Sequence, residues 1–171
     1  MKPSEKKTFY ENATRDLLSR LDAMDLTSAD KQKAVYYTKL FREAFKYDAI
    51  KKHVFLSQEN IYWNFGYDSA GFCYASSVVF SIMTGFQNWN LMYIDADKWP
   101  GYVSHYYLKH LKSGKFFDIT FDQFSVDGFT VPYEIGEIAP FALTPGDTPF
   151  KFADVLNLDL IKTLRNSTTR K

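Results

Sequence analysis

Residues 76–83, SSVVFSIM, are apolar on most sides and stop at Thr84-Gly85. A helix with no broad polar face has to be covered by the rest of its chain. Thr-Gly is a plausible C-terminal stop. The pattern predicts a buried helix over 72–83, with Cys73, the single cysteine of the 171 residues, in its first turn. A chain of this length supplies one domain with a sizeable core. Hydrophobic residues at 46% and charged residues at 24% agree with an ordinary globular class.

Two amphipathic stretches precede that helix. Phe9, Ala13, Leu17, Leu21 and Met24 form one stripe at helical spacing, predicting a helix over 4–24 that starts near Pro3 and Ser4. Thr27 and Asp30 read as a capping box for a second helix. Its apolar face, Ala34, Tyr37, Phe41, Ala44 and Phe45, carries on to about Ile50. His53 falls at the end of this region, where a cation complements the helix dipole. Residues 54–70 have no period and read as a loop.

Strands follow. Residues 90–95 (NLMYID) are short and apolar, and 102–112 and 115–120 flank Ser113-Gly114, a hairpin signal. The last third holds four of the six prolines and is expected to be mostly loop, with one helix over 152–165. Helices first and strands later indicate an α+β fold rather than alternating βαβ units. The chain divides into a helical brace at 1–52, a core at 53–165 and a flexible basic tail at 166–171, within one domain.

Several functions are disfavoured. A net charge of +1 gives no footprint for nucleic acid. No run reaches the roughly 20 apolar residues of a membrane span, and the charged N-terminus is not a signal peptide. One cysteine makes no internal disulfide. These features lead to the expectation of a cytoplasmic protein, or one acting inside a host cell, with no nucleic-acid or membrane partner. No phosphate-binding glycine loop and no serine-hydrolase elbow occur. One cysteine and three histidines do not make a structural zinc site. Asp118, Asp122 and Asp127 cluster, as a Mg²⁺ site would, but acids after a strand are usually solvated. No cofactor and no metal are expected.

Cys73 stands alone, and a lone cysteine is ordinarily inert and buried. A thiol nucleophile needs a stabilised thiolate, a base, and a group to orient the base. A helix N-terminus supplies the first, together with N–H groups for an oxyanion. His105, 32 residues on and within an aromatic strand, is the candidate base. Asp118, across the hairpin, is the candidate orienter. His110 lies near the turn and on the opposite strand face.

Register leaves the acid open. A two-residue turn at Ser113-Gly114 pairs Leu111 with Phe116 and sets His105 opposite Asp122. Asp118 is then four residues from direct opposition, about 13 Å at strand rise. Either the hairpin departs from this register, or Asp122 is the partner.

GFCYASS, SHYYLKH and GKFFDIT together resemble the transglutaminase-like branch of the papain-like cysteine enzymes. The matches are Gly71 and Cys73, His105 with Tyr106 and Tyr107, and Asp118 with Thr120. More closely, Ser104 to Leu108 and Asp118 to Phe124 resemble a group of small bacterial and phage proteins. The likeness covers about residues 60–145. The segment from Tyr62 to Gly66 faintly resembles a loop before the cysteine of cell-wall cysteine peptidases. Those have a longer cysteine-to-histidine gap and a different third residue. Tyr67 stands where papain itself carries glutamine, so the second oxyanion donor is open among Tyr62, Asn64 and the Cys73 N–H, with Trp63 beside them in the groove.

The resemblance implies a papain-like or transglutaminase-like core, a buried helix opened by cysteine on a small antiparallel sheet; the two helices ahead of it lie outside the resemblance. It implies a cysteine hydrolase or acyltransferase acting on an amide, isopeptide or ester carbonyl of a protein, peptide or other substrate. The route runs through a thioester on Cys73, with His105 and Asp118 completing a triad. Two rival expectations are a catalytically degenerate interaction protein of the same fold and a cell-wall peptide amidase.

Overall fold

The computed structural model describes residues 3–55, 68–99, 104–139 and 146–168. It is mixed α+β, with seven helices and one four-stranded antiparallel sheet among the described residues. No helix among these residues is long and apolar enough to cross a membrane.

Helix α1, Pro3–Asp22, buries Tyr10, Ala13, Leu17 and Leu21. Tyr10 rather than Phe9 reaches the interior. Thr27 caps α2, Ser28–Ala44: the Asp30 N–H donates to Thr27 Oγ1 at 3.1 Å, and that hydroxyl donates to Asp30 Oδ2 at 2.8 Å. The expected run to Ile50 is broken. The chain leaves α2 at Ala44, passes through an extended Tyr47, and restarts as α3, Asp48–Val54. The break lets Phe45 stack on Phe72, at 4.5 Å between ring centroids. Helix α3 runs through residue 52, so the helical part does not end at that boundary.

Helix α4, Cys73–Thr84, is the buried helix, and it packs against α2 and the sheet. Gly71, at φ +81°, makes the turn before it, and Gly85, at φ +100°, ends it. Both angles lie where a side chain is strained.

Strand β1 is Trp89–Ile94 and β2 is His105–His110, paired from Trp89 with His110 to Ile94 with His105. Strand β3, Phe116–Phe117, lies beyond β2, and β4, Glu137–Ile138, lies beyond β1. Leu91, Leu108 and Phe117 join the core with Val79 and Phe80 of α4. Met92, Ile94 and Tyr107 belong to a smaller cluster with Phe124 and Val131. Between β3 and β4 the short helix α5, Asp122–Ser125, replaces part of the expected loop.

The single C-terminal helix expected over 152–165 is two, α6 (Asp147–Val155) and α7 (Leu160–Thr168). Asn157 adopts φ +55°, and the Leu158 N–H closes on Ala153 O at 2.9 Å, a left-handed helix stop. Asp159 then caps α7 through the Lys162 N–H at 2.8 Å. Phe152 of α6 meets both Phe41 and Phe72, which fixes α6 against the front of α4.

Candidate active site

Cys73 is the first residue of α4 and is partly exposed. Phe72 precedes it and offers no side-chain cap. The Ser76 N–H makes the first turn's bond, to Phe72 O at 2.9 Å, which leaves the N–H groups of Cys73, Tyr74 and Ala75 without an intrahelical partner. The end of α4 comes to the start of β2. Tyr74, beside Cys73, meets Tyr106, beside His105, at 4.8 Å between ring centroids.

His105 is fully buried. Its ring meets the edge of Phe124 at 4.8 Å. Nε2 lies 2.6 Å from Asp118 Oδ2. The other nitrogen, Nδ1, is buried and makes no aligned hydrogen bond among the described residues. The Cys73 side chain also acts on the imidazole. Burial by itself would drive the imidazole pKa down. The Asp118 charge and hydrogen bond outweigh it, with Cys73 adding to them, and push the value up to about 10.

Asp118 is equally buried and fully engaged. Oδ1 accepts from the Thr120 N–H and hydroxyl, both at 3.0 Å, and Oδ2 also accepts from the Tyr133 hydroxyl at 3.1 Å. Burial opposes its ionisation. His105 and the Thr120 donors prevail and hold its pKa below the usual carboxylate value.

The hairpin differs from the two-residue turn. Leu108 pairs with Phe117 and Lys109 with Phe116, and the His110 N–H donates to Lys115 O, so four residues, 111–114, make the connection. The ladder is shifted by two from the expected register, which draws Asp118 toward His105. Asp122, the alternative acid, points elsewhere: its carboxylate meets the Arg42 guanidinium at 2.6 and 3.0 Å. His110 sits by the turn, with Nδ1 2.9 Å from Ser113 Oγ and its ring against Trp89. His53 lies in the last turn of α3.

Tyr62, Trp63 and Asn64 lie outside the described residues, so the groove expected of them is not described. The acidic cluster is dispersed, since Asp118 faces His105, Asp122 faces Arg42, and Asp127 is exposed. Among the described residues no group of three or more His, Cys, Asp or Glu could hold a metal ion.

Two participants were not anticipated. Tyr133, from a proline-rich stretch without period, reaches Asp118 across 15 residues. Arg42 lies on an otherwise ordinary amphipathic helix, at the edge of the apolar stripe and one residue after Phe41, where nothing in the local pattern marks it. No protein-family model, no curated protein and no solved structure matches the chain.

Proposed function

We propose that the protein is a thiol hydrolase or acyltransferase of papain-like or transglutaminase-like type, acting on an amide or isopeptide carbonyl. One observation carries the reading. His105 commits Nε2 to a buried carboxylate, its Nδ1 is buried with no aligned hydrogen bond among the described residues, and the side chain of the one cysteine acts on the same imidazole. Most buried side-chain polar atoms have a partner, so a histidine that only filled the core would ordinarily have both nitrogens satisfied.

The chemistry follows from that arrangement. Cys73 Sγ, as thiolate, attacks the carbonyl carbon, and the oxyanion is stabilised by N–H groups at the start of α4. The C–N bond breaks as His105 Nδ1–H protonates the leaving nitrogen, and the acyl group remains as a thioester. His105 then takes a proton from water or from an acceptor amine. The resulting acid or new amide leaves, and Cys73 is regenerated. Asp118 fixes the tautomer and stabilises the imidazolium. The amide substrate is a protein, a peptide or another acyl donor.

The test is the rate of iodoacetamide alkylation of Cys73 against pH, in the wild type and in His105→Ala. A thiolate–imidazolium pair keeps the wild type reactive below pH ~7, and His105→Ala abolishes that plateau. If both proteins lose reactivity below pH ~8.5, as an ordinary thiol does, the reading fails. Alkylation at full rate in denaturant separates a protonated thiol from a chemically blocked one.

A further inference from the structure

We infer that Arg42 and Asp122 are positioning residues for this site: their buried ion pair holds the acid's loop and the nucleophile's turn in one frame, through Ile119 and Ser69. The inference rests on the thiol-enzyme reading and adds to it a role for the N-terminal helices.

The side chains of Arg42 and Asp122 are 2% and 3% exposed. Burying both charges is expensive, and apolar residues of similar volume often serve stability as well or better. What apolar residues cannot reproduce is the set of bonds. A guanidinium has five N–H donors in a fixed plane, and all five are placed. Nε donates to Thr14 Oγ1 at 3.1 Å. Nη1 donates to Asp122 Oδ1 at 2.6 Å and to Ile119 O at 3.2 Å. Nη2 donates to Asp122 Oδ2 at 3.0 Å and to Tyr10 O at 3.3 Å. The guanidinium carbon stands 3.7 Å from the centroid of the Tyr10 ring.

Two of the connections lead to the site. Ile119 sits between Asp118 and Thr120, so the bond to its carbonyl fixes the turn in which Thr120 holds Asp118 Oδ1. Asp122 Oδ1 also accepts from Ser69 Oγ at 2.9 Å. The Ser69 carbonyl in turn accepts from the Phe72 N–H, one residue before Cys73. Residues 42, 69, 119 and 122 are thereby joined through one carboxylate and one guanidinium. The acid and the nucleophile come from different parts of the sheet and helix layers, and this is a direct polar link between their supporting turns.

The closing experiment uses the full chain and two mild variants. Ser69→Ala removes one hydroxyl and leaves the ion pair. Arg42→Lys keeps a buried cation beside Asp122, but its three donors on a single nitrogen cannot span Asp122, Ile119, Thr14 and Tyr10 together. Each variant is shown to be folded by circular dichroism and melting, and Cys73 alkylation is then measured from pH 5 to 10 below its melting transition. Displacement of the nucleophile or acid lowers the rate at pH 6 by about 10- to 100-fold and moves the profile toward that of an ordinary thiol. A folded variant of either kind that keeps the wild-type rate and profile, with only its melting temperature lowered, overturns the inference. Failure of the underlying reading looks different: the wild type itself then alkylates no faster than His105→Ala, and the inference falls with it.

Discussion

His105 Nε2 lies 2.6 Å from Asp118 Oδ2, although the β2–β3 ladder, continued past Phe117, would set His105 opposite Thr120. The chain stops being a strand at Phe117 and turns, with the Thr120 N–H closing back on Asp118 Oδ1. The turn brings the carboxylate to a histidine that straight pairing would hold about two residues away, roughly 7 Å at strand rise.

Asp118→Asn tests that placement. The amide has no charge to stabilise an imidazolium, so Cys73 alkylation at pH 6 is expected to fall by about 10- to 100-fold, the scale of losing an opposite charge beside an ionised group. Alkylation at the wild-type rate in folded Asp118→Asn would remove Asp118 from the site.

Asp122→Asn is expected to act first on stability. It leaves the Arg42 guanidinium buried and without its counter-charge, and breaking a buried pair in this way costs about 3–5 kcal/mol. Urea denaturation reads the loss as a lower midpoint at unchanged slope. A midpoint equal to the wild type's would mean that the pair is solvated.

Helices α1, α2 and α4 and the cysteine's place at the head of α4 were legible because they depend on local pattern, whereas the break before α3, the short α5 and the division into α6 and α7 were not. The apolar run over 76–83 was expected to be a buried helix and is one, and the Thr27–Asp30 box capped what it was expected to cap. The carboxylate that meets His105 was half legible. Its residue type and strand face could be read, but its distance from His105 depended on whether the turn held two residues or four. Ser113-Gly114 looks like a two-residue turn. His110, however, accepts the Gly114 N–H through its carbonyl and the Ser113 N–H through Nδ1, which favours the longer connection. Arg42 was illegible for another reason. An arginine after Phe41 on an amphipathic helix reads as a boundary residue, and only the arrival of Asp122, 80 residues later, makes its burial tolerable.

Gly136→Ala is expected to destabilise the protein by steric conflict alone. Gly136 has φ −72° and ψ 147°, ordinary for any residue, yet a Cβ there collides with Tyr107 Oη and comes within 2.9 Å of Tyr107 Cζ. Tyr107 donates to Tyr133 O at 2.5 Å, and its ring packs on Tyr133, whose own hydroxyl serves Asp118. Overpacking of this kind costs about 1–3 kcal/mol. Tyr107→Phe in the same chain removes the colliding oxygen, so the double variant should be more stable than the sum of the single losses predicts. Strict additivity in a thermal or urea double-mutant cycle would show that the two groups do not meet.

The His105–Asp118 pair also gives stability a defined pH dependence. Folding raises the His105 pKa from 6.5 to about 10, so its contribution is complete below about pH 6.5 and is lost as pH climbs through about 10. Folding lowers the Asp118 pKa from 3.8, so its contribution is present above about pH 4 and is lost as pH falls through the lowered value. The pair therefore stabilises most between about pH 4 and 6.5 and declines on the alkaline side. The measurement is the difference in unfolding free energy between the wild type and His105→Gln, taken by urea titration at pH 6, 8 and 10. The difference should shrink steadily across that series. A difference that grows with pH would mean that His105 is held neutral in the folded chain, and an imidazole without its proton could not protonate a leaving group.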